Sequence, residues 1–142
     1  WGQGGSIADT TVAGKTVKLM NLVNYQGVDV SGPNGASTDT TPAPINATGK
    51  TFLHISYWTA NATTLSVDVI NATTDTFGTT GATVTFTGLT QNAWTDLEVP
   101  MPSGFDMSTI RQLKFTNQTT SQLASSTFGS DVQIYMDNIY FH

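Results

Sequence analysis

The sequence predicts an all-β fold, a two-sheet antiparallel sandwich of about eight strands. Three observations carry that reading. Apolar and polar residues alternate with period two in run after run, which is the strand signal. Helical periodicity is nearly absent, with residues 106–110 offering one turn at most. Polar positions are filled by Thr, Asn, Ser and Gly, and charged residues make up only 11% of the chain, against about 25% in an average soluble domain. The 142 residues fit a single domain, residues 1–142, large enough for a real core.

The strands are justified in order. Residues 15–19 alternate, with Val17 and Leu19 on one face. Residues 22–30 form a second strand, broken by Gly27. Residues 51–58 give the strongest pattern: Leu53, Ile55 and Tyr57 share one face, His54, Ser56 and Trp58 the other. Leu65, Val67 and Val69 alternate with Ser66 and Asp68; Val84 and Phe86 alternate with Thr83, Thr85 and Thr87. Trp94, Leu97 and Val99 mark another strand in irregular phase, which reads Trp94 as a core residue. Leu113 and Phe115 alternate with Gln112 and Lys114. The last strand, residues 132–141, changes phase at Asp137-Asn138, the mark of a bulge. The longest loop, residues 31–49, is rich in Gly and Pro, and a loop of that length is usually functional or mobile.

Charge and composition exclude several functions. The net charge is −5, with only 5 Lys and Arg. That is too few to track a phosphate backbone or hold an anionic membrane, so neither nucleic acid nor membrane is an expected partner. No apolar stretch reaches the about 18 residues of a membrane span. There are 0 Cys, which removes disulfides and thiolate metal sites. The low charge and Thr-rich surface fit a secreted or cell-surface protein. A chain beginning at Trp1 is expected to be a module cut from something longer.

Four internal segments and the end of the chain form a recognisable set: Asn24-Tyr25-Gln26-Gly27-Val28-Asp29, Leu53-His54-Ile55-Ser56-Tyr57-Trp58-Thr59, Trp94-Thr95-Asp96-Leu97-Glu98-Val99-Pro100, Ile110-Arg111-Gln112-Leu113-Lys114-Phe115, and Ile134-Tyr135-Met136-Asp137-Asn138-Ile139-Tyr140-Phe141. In order and spacing the set resembles the jelly-roll carbohydrate-binding modules appended to secreted bacterial glycoside hydrolases, laminarinase-like β-glucanases among them. The resemblance implies a jelly roll with a concave sheet face and a polysaccharide partner, a β-glucan in the nearest association. It also implies a catalytic domain in the same parent chain and a structural calcium held in part by Asp137. Similar modules have a further strand ahead of Trp1-Gly2-Gln3. If that strand is missing, a sheet edge or a calcium half-site is expected to be open, and a strand from another subunit is expected to be able to fill it.

Carbohydrate binding needs flat aromatic faces and polar groups for the hydroxyls. His54, Ser56 and Trp58 offer both on one strand face. If the strands carrying Asp68, Gln112 and Lys114 are its neighbours, His54, Trp58, Asp68, Gln112 and Lys114 form one patch, extended by Tyr25 and Gln26. Trp1, Phe77 and Phe128 are further candidate contacts. Asp9, Asp29, Asp39 and Asp131 join Asp137 as candidate oxygen ligands for a hard cation. Four Asn-x-Thr sequons, at Asn46, Asn61, Asn71 and Asn117, are expected to stay unmodified in a bacterial protein.

No nucleophile elbow, HExxH helix or phosphate loop is present. Asp96 and Glu98 share one strand face, whereas a glycosidase needs carboxylates opposed across a cleft. The chain is therefore expected to be a non-enzyme. The competing reading is a structural or adhesive sandwich, a repeat of a surface protein or filament completed by a neighbour's strand.

Overall fold

A computed structural model of the chain describes residues 2–3, 5–30, 44–71, 82–117 and 131–142. Trp1, Asp39, Phe77, Phe128 and most of the 31–49 loop lie outside the described residues. The strands are β1 (Gly2–Gln3), β2 (Ser6–Val12), β3 (Lys15–Leu22), β4 (Tyr25–Asp29), β5 (Phe52–Thr59), β6 (Thr64–Asn71), β7 (Ala82–Thr87), β8 (Thr95–Pro100), β9 (Ile110–Thr116) and β10 (Val132–Phe141). They form two five-stranded antiparallel sheets, ordered β1-β4-β9-β6-β7 and β2-β3-β10-β5-β8. The all-β sandwich expected from alternation is thus observed, and the residues expected to turn once near 106–110 form no helix.

The two sheets meet on their apolar faces. Met20, Ile55, Tyr57, Val99, Ile134 and Met136 from one pack with Leu65, Val67, Val69, Leu113 and Phe115 from the other. The Tyr57 hydroxyl is buried with its ring and accepts the Thr90 amide at 2.9 Å, which satisfies the one polar atom it carries into the core. Thr59 closes β5 in a similar way. Its hydroxyl donates to the Gln133 carbonyl at 2.7 Å and accepts the Ala62 amide at 3.0 Å, tying the β5–β6 turn to β10.

Two strands differ from the alternation reading. Residues 6–12 carry few apolar side chains, yet form β2. The cause is the Ala13-Gly14 turn, where φ is 50° and 80°. Both central residues are left-handed, as a two-residue hairpin requires, and Ser6 to Val12 pair with Asn21 to Lys15. Residues 22–30 are not one strand. Leu22 ends β3, and Gly27 sits inside β4 opposite Lys114 rather than breaking it. The bulge at Asp137-Asn138 is present. Asp137 pairs with Ser56 and Tyr140 with His54, so β10 spends one residue more than β5 between them.

Candidate functional site

The two sheets divide the residues that sequence reasoning placed together. His54 and Trp58 are on β5, in the β2-β3-β10-β5-β8 sheet; Tyr25, Gln26, Asp68, Gln112 and Lys114 are on β4, β6 and β9, in the other. All but Gln26 point away from the core, but in opposite directions, so a single patch does not form. The alternation was correct and the neighbour assumption was not, because alternation is the same in either sheet.

On the β4-β9-β6 face, Lys114 Nζ lies 3.8 Å from Asp68 Oδ2 and 5.6 Å from the centroid of the Tyr25 ring. Asp68 and Ser66 are buried, and every residue of β6 is buried on both faces of the strand. Gln26 stands opposite Phe115, on the core-facing side, and is 6% exposed; its Nε2 donates to the Gly27 carbonyl at 2.8 Å. It is a buried packing residue and no extension of a surface patch.

The outer face of the other sheet is open and aromatic. Trp58 opposes Tyr135 across the β5–β10 pair, ring against ring edge-on at 5.5 Å and 76°. Trp94, just ahead of β8, is 46% exposed, so the core role expected for it is overturned. The reason lies in the preceding turn. Asn92 adopts φ 60° and its amide bonds the Thr59 carbonyl at 2.8 Å, which resets the phase before β8 begins. Trp58, Trp94, Tyr135 and Val12 line a hollow of about 230 Å³. It runs into a groove of about 420 Å³ walled by Val12, Val17 and Trp94, with Lys15, Ser56, Asp96 and Asp137 supplying polar groups. An apolar wall with a few placed polar groups is the usual make-up of a ligand site.

Asp137 reaches this groove from the bulge, where its Oδ1 accepts the Asn138 amide at 2.8 Å. Among the described residues no group of three or more carboxylate or imidazole donors gathers around it. Side chains alone thus fall short of the 6–8 oxygens that calcium takes.

Beyond the groove, along the same face, lies a second cluster that sequence reasoning did not assemble. His54 Nδ1 is 2.6 Å from Glu98 Oε1, and His142 Nε2 is 2.9 Å from Glu98 Oε2. Glu98 stands opposite His54 across the β5–β8 pair. The backbones of His142 and Phe52 exchange hydrogen bonds at 3.0 and 3.1 Å, which fixes His142 on the far side of β5. Hydrogen bonds from His142 and then His54 hold the Glu98 carboxyl below its ordinary pKa. Rings brace both imidazoles: Tyr140 stacks on His54 at 4.8 Å and Phe52 on His142 at 5.6 Å.

Two sheets in this order, with an open aromatic face, define a jelly-roll type of β-sandwich. No protein-family model matches the chain, and no curated protein does. A solved structure does match in fold: the family 30 carbohydrate-binding module of the cellulosomal cellulase Cel9D-Cel44B of Clostridium thermocellum. The TM-score is 0.62 at 11% identity, over 96% of this chain and 82% of that one. At that identity the likeness is one of fold.

Proposed function

We propose that the chain is a non-catalytic carbohydrate-binding module whose ligand is a neutral polysaccharide lying along the β2-β3-β10-β5-β8 face. One observation carries the reading: Trp58, Trp94 and Tyr135 line a hollow that opens into a polar groove. An exposed Trp94 beside the half-buried Trp58 and Tyr135, on a rigid sheet, offers apolar ring surface at little entropic cost. Ser56, Lys15, Asp96 and Asp137 stand where sugar hydroxyls would be bonded. Carboxylates outnumber cations there, which disfavours uronates and sulfated glycans. The fold shared with a carbohydrate-binding module supports the reading. β-Glucan remains the first glycan to try, and a secreted glycoside hydrolase the proposed parent.

Affinity electrophoresis against laminarin, xylan, cellulose, agarose and alginate tests the proposal. Retardation by a neutral glycan, lost in Trp58→Ala with folding intact, is the expected result. No retardation by any of them refutes it. Asp96 and Asp137 both face the groove, so the same glycans are incubated with the protein and assayed for reducing ends; none are expected to form. The calcium proposed at Asp137 is tested by melting the protein with Ca²⁺ and with EGTA. A higher Tm in Ca²⁺, abolished by Asp137→Ala, is the supporting outcome.

A further inference from the structure

We propose that His54, Glu98 and His142 form a binding site for a divalent transition-metal ion of the zinc class, at the far end of the sheet face from Trp58. Two imidazoles and one carboxylate are a donor set that suits zinc, copper or nickel. Their ligand atoms lie within 4.8 Å of one another. Bonds of about 2.1 Å in a tetrahedron set donor–donor edges of about 3.4 Å. The present contacts, 2.6 Å from His54 to one Glu98 oxygen and 2.9 Å from His142 to the other, are within about 1 Å of that spacing.

A second feature points the same way. A metal-binding histidine normally donates its other ring N–H to a carboxylate or similar acceptor, which fixes its tautomer. His54 presents Nδ1 to Glu98, while its Nε2 lies 3.4 Å from Ser56 Oγ and 3.6 Å from Asp96 Oδ1. Ser56 Oγ donates to Asp96 Oδ1 at 2.7 Å, which leaves its lone pairs free for the imidazole N–H. In the metal-free protein both imidazoles donate to the Glu98 carboxylate; a bound metal takes the place of those protons, and a proton then carried on Nε2 toward Ser56 and Asp96 leaves His54 Nδ1 as the lone-pair donor. Stacking on Tyr140 and Phe52 keeps both rings from turning away.

His54 is largely covered, with its side chain 13% exposed, whereas Glu98 and His142 are about half exposed. The three donors therefore form a shallow cup open to solvent. Three protein ligands leave a fourth position for water, as in sites that exchange a ligand. Calcium is a poor fit, since it asks for an oxygen shell and this set offers one carboxylate.

Isothermal titration of the metal-free protein with Zn²⁺, and with Co²⁺ for its visible absorption, tests the proposal without any glycan. One ion per chain is expected, with Co²⁺ bands of low coordination number and no competition from Ca²⁺. His142→Ala and Glu98→Gln each weaken Zn²⁺ at least about tenfold, and Asp96→Asn weakens it by about tenfold through His54. His142 is about half exposed, so its variant stays folded even though it loses the Glu98 hydrogen bond, and binding lost in the folded variant reports the ligand itself. Absence of saturable Zn²⁺ binding overturns the proposal, as does binding left unchanged by His142→Ala and Glu98→Gln. The groove reading stands or falls separately, on glycan retardation.

Discussion

At the scale of single residues, exposure separates the side chains that act from those that support. Trp94 is 46% exposed and touches the groove. Its truncation removes part of the proposed binding surface and little core. Trp94→Ala is expected to weaken glycan binding about tenfold or more, while stability shifts by no more than about 0.5–1 kcal/mol. Retardation gels and a thermal melt on the same sample measure both. Glu98 makes a different prediction. Its native pKa is lowered by the His142 and His54 hydrogen bonds, so the ionised form stabilises the fold. That contribution is complete above the unfolded-state value near about 4.3 and fades as pH falls through the lower native value. Urea midpoints measured across acid pH should therefore fall less steeply for Glu98→Gln than for the wild-type protein. A parallel fall in the two would contradict the assigned hydrogen bonds.

At the scale of elements, the turns decide what the strands can present. The bulge in β10 places Tyr140 and His142 on the outer face and is held by Asn138 at φ 49°. Asn tolerates that conformation and a β-branched residue does not. Asn138→Val is expected to cost about 1–2 kcal/mol, and Asn138→Gly close to nothing, by chemical denaturation. The β2–β3 hairpin gives the opposite case. Ala13 is held at φ 50° beside Gly14 at 80°, where Asn-Gly is the favoured pair. Ala13→Asn is expected to raise the midpoint. The bulge was legible in the sequence because the apolar phase slips there from Met136 to Ile139. The hairpin was not, because an edge strand facing solvent on one side needs few apolar residues, and β2 has only Ile7, Ala8 and Val12. Trp94 misled for a similar reason, since a backbone reset at Asn92 leaves no trace in apolar spacing.

At the scale of the whole molecule, period-two alternation told inside from outside for β5, β6, β7 and β9 but could not tell one sheet from the other. His54 and Lys114 both alternate out of the core; the topology alone sends them to opposite surfaces. Each strand from β4 to β6, and again from β7 to β10, crosses to the other sheet, so neighbours in sequence are seldom neighbours in a sheet. That arrangement makes the two faces separable by experiment. Asp68, Ser66 and Thr116 are buried on the β4-β9-β6 face, and Lys114 is paired to Asp68. On the other face Trp58 and Tyr135 meet at the hollow. Gln112→Ala and Lys114→Met are therefore expected to leave glycan retardation unchanged. Lys114→Met lowers stability as well, since Asp68 loses its cation. Trp58→Ala and Tyr135→Ala should abolish retardation at a temperature where all four variants remain folded. If the Gln112 and Lys114 variants are the ones that lose the glycan, the binding face is the β4-β9-β6 surface, and the aromatic groove is a by-product of packing β8 against β5.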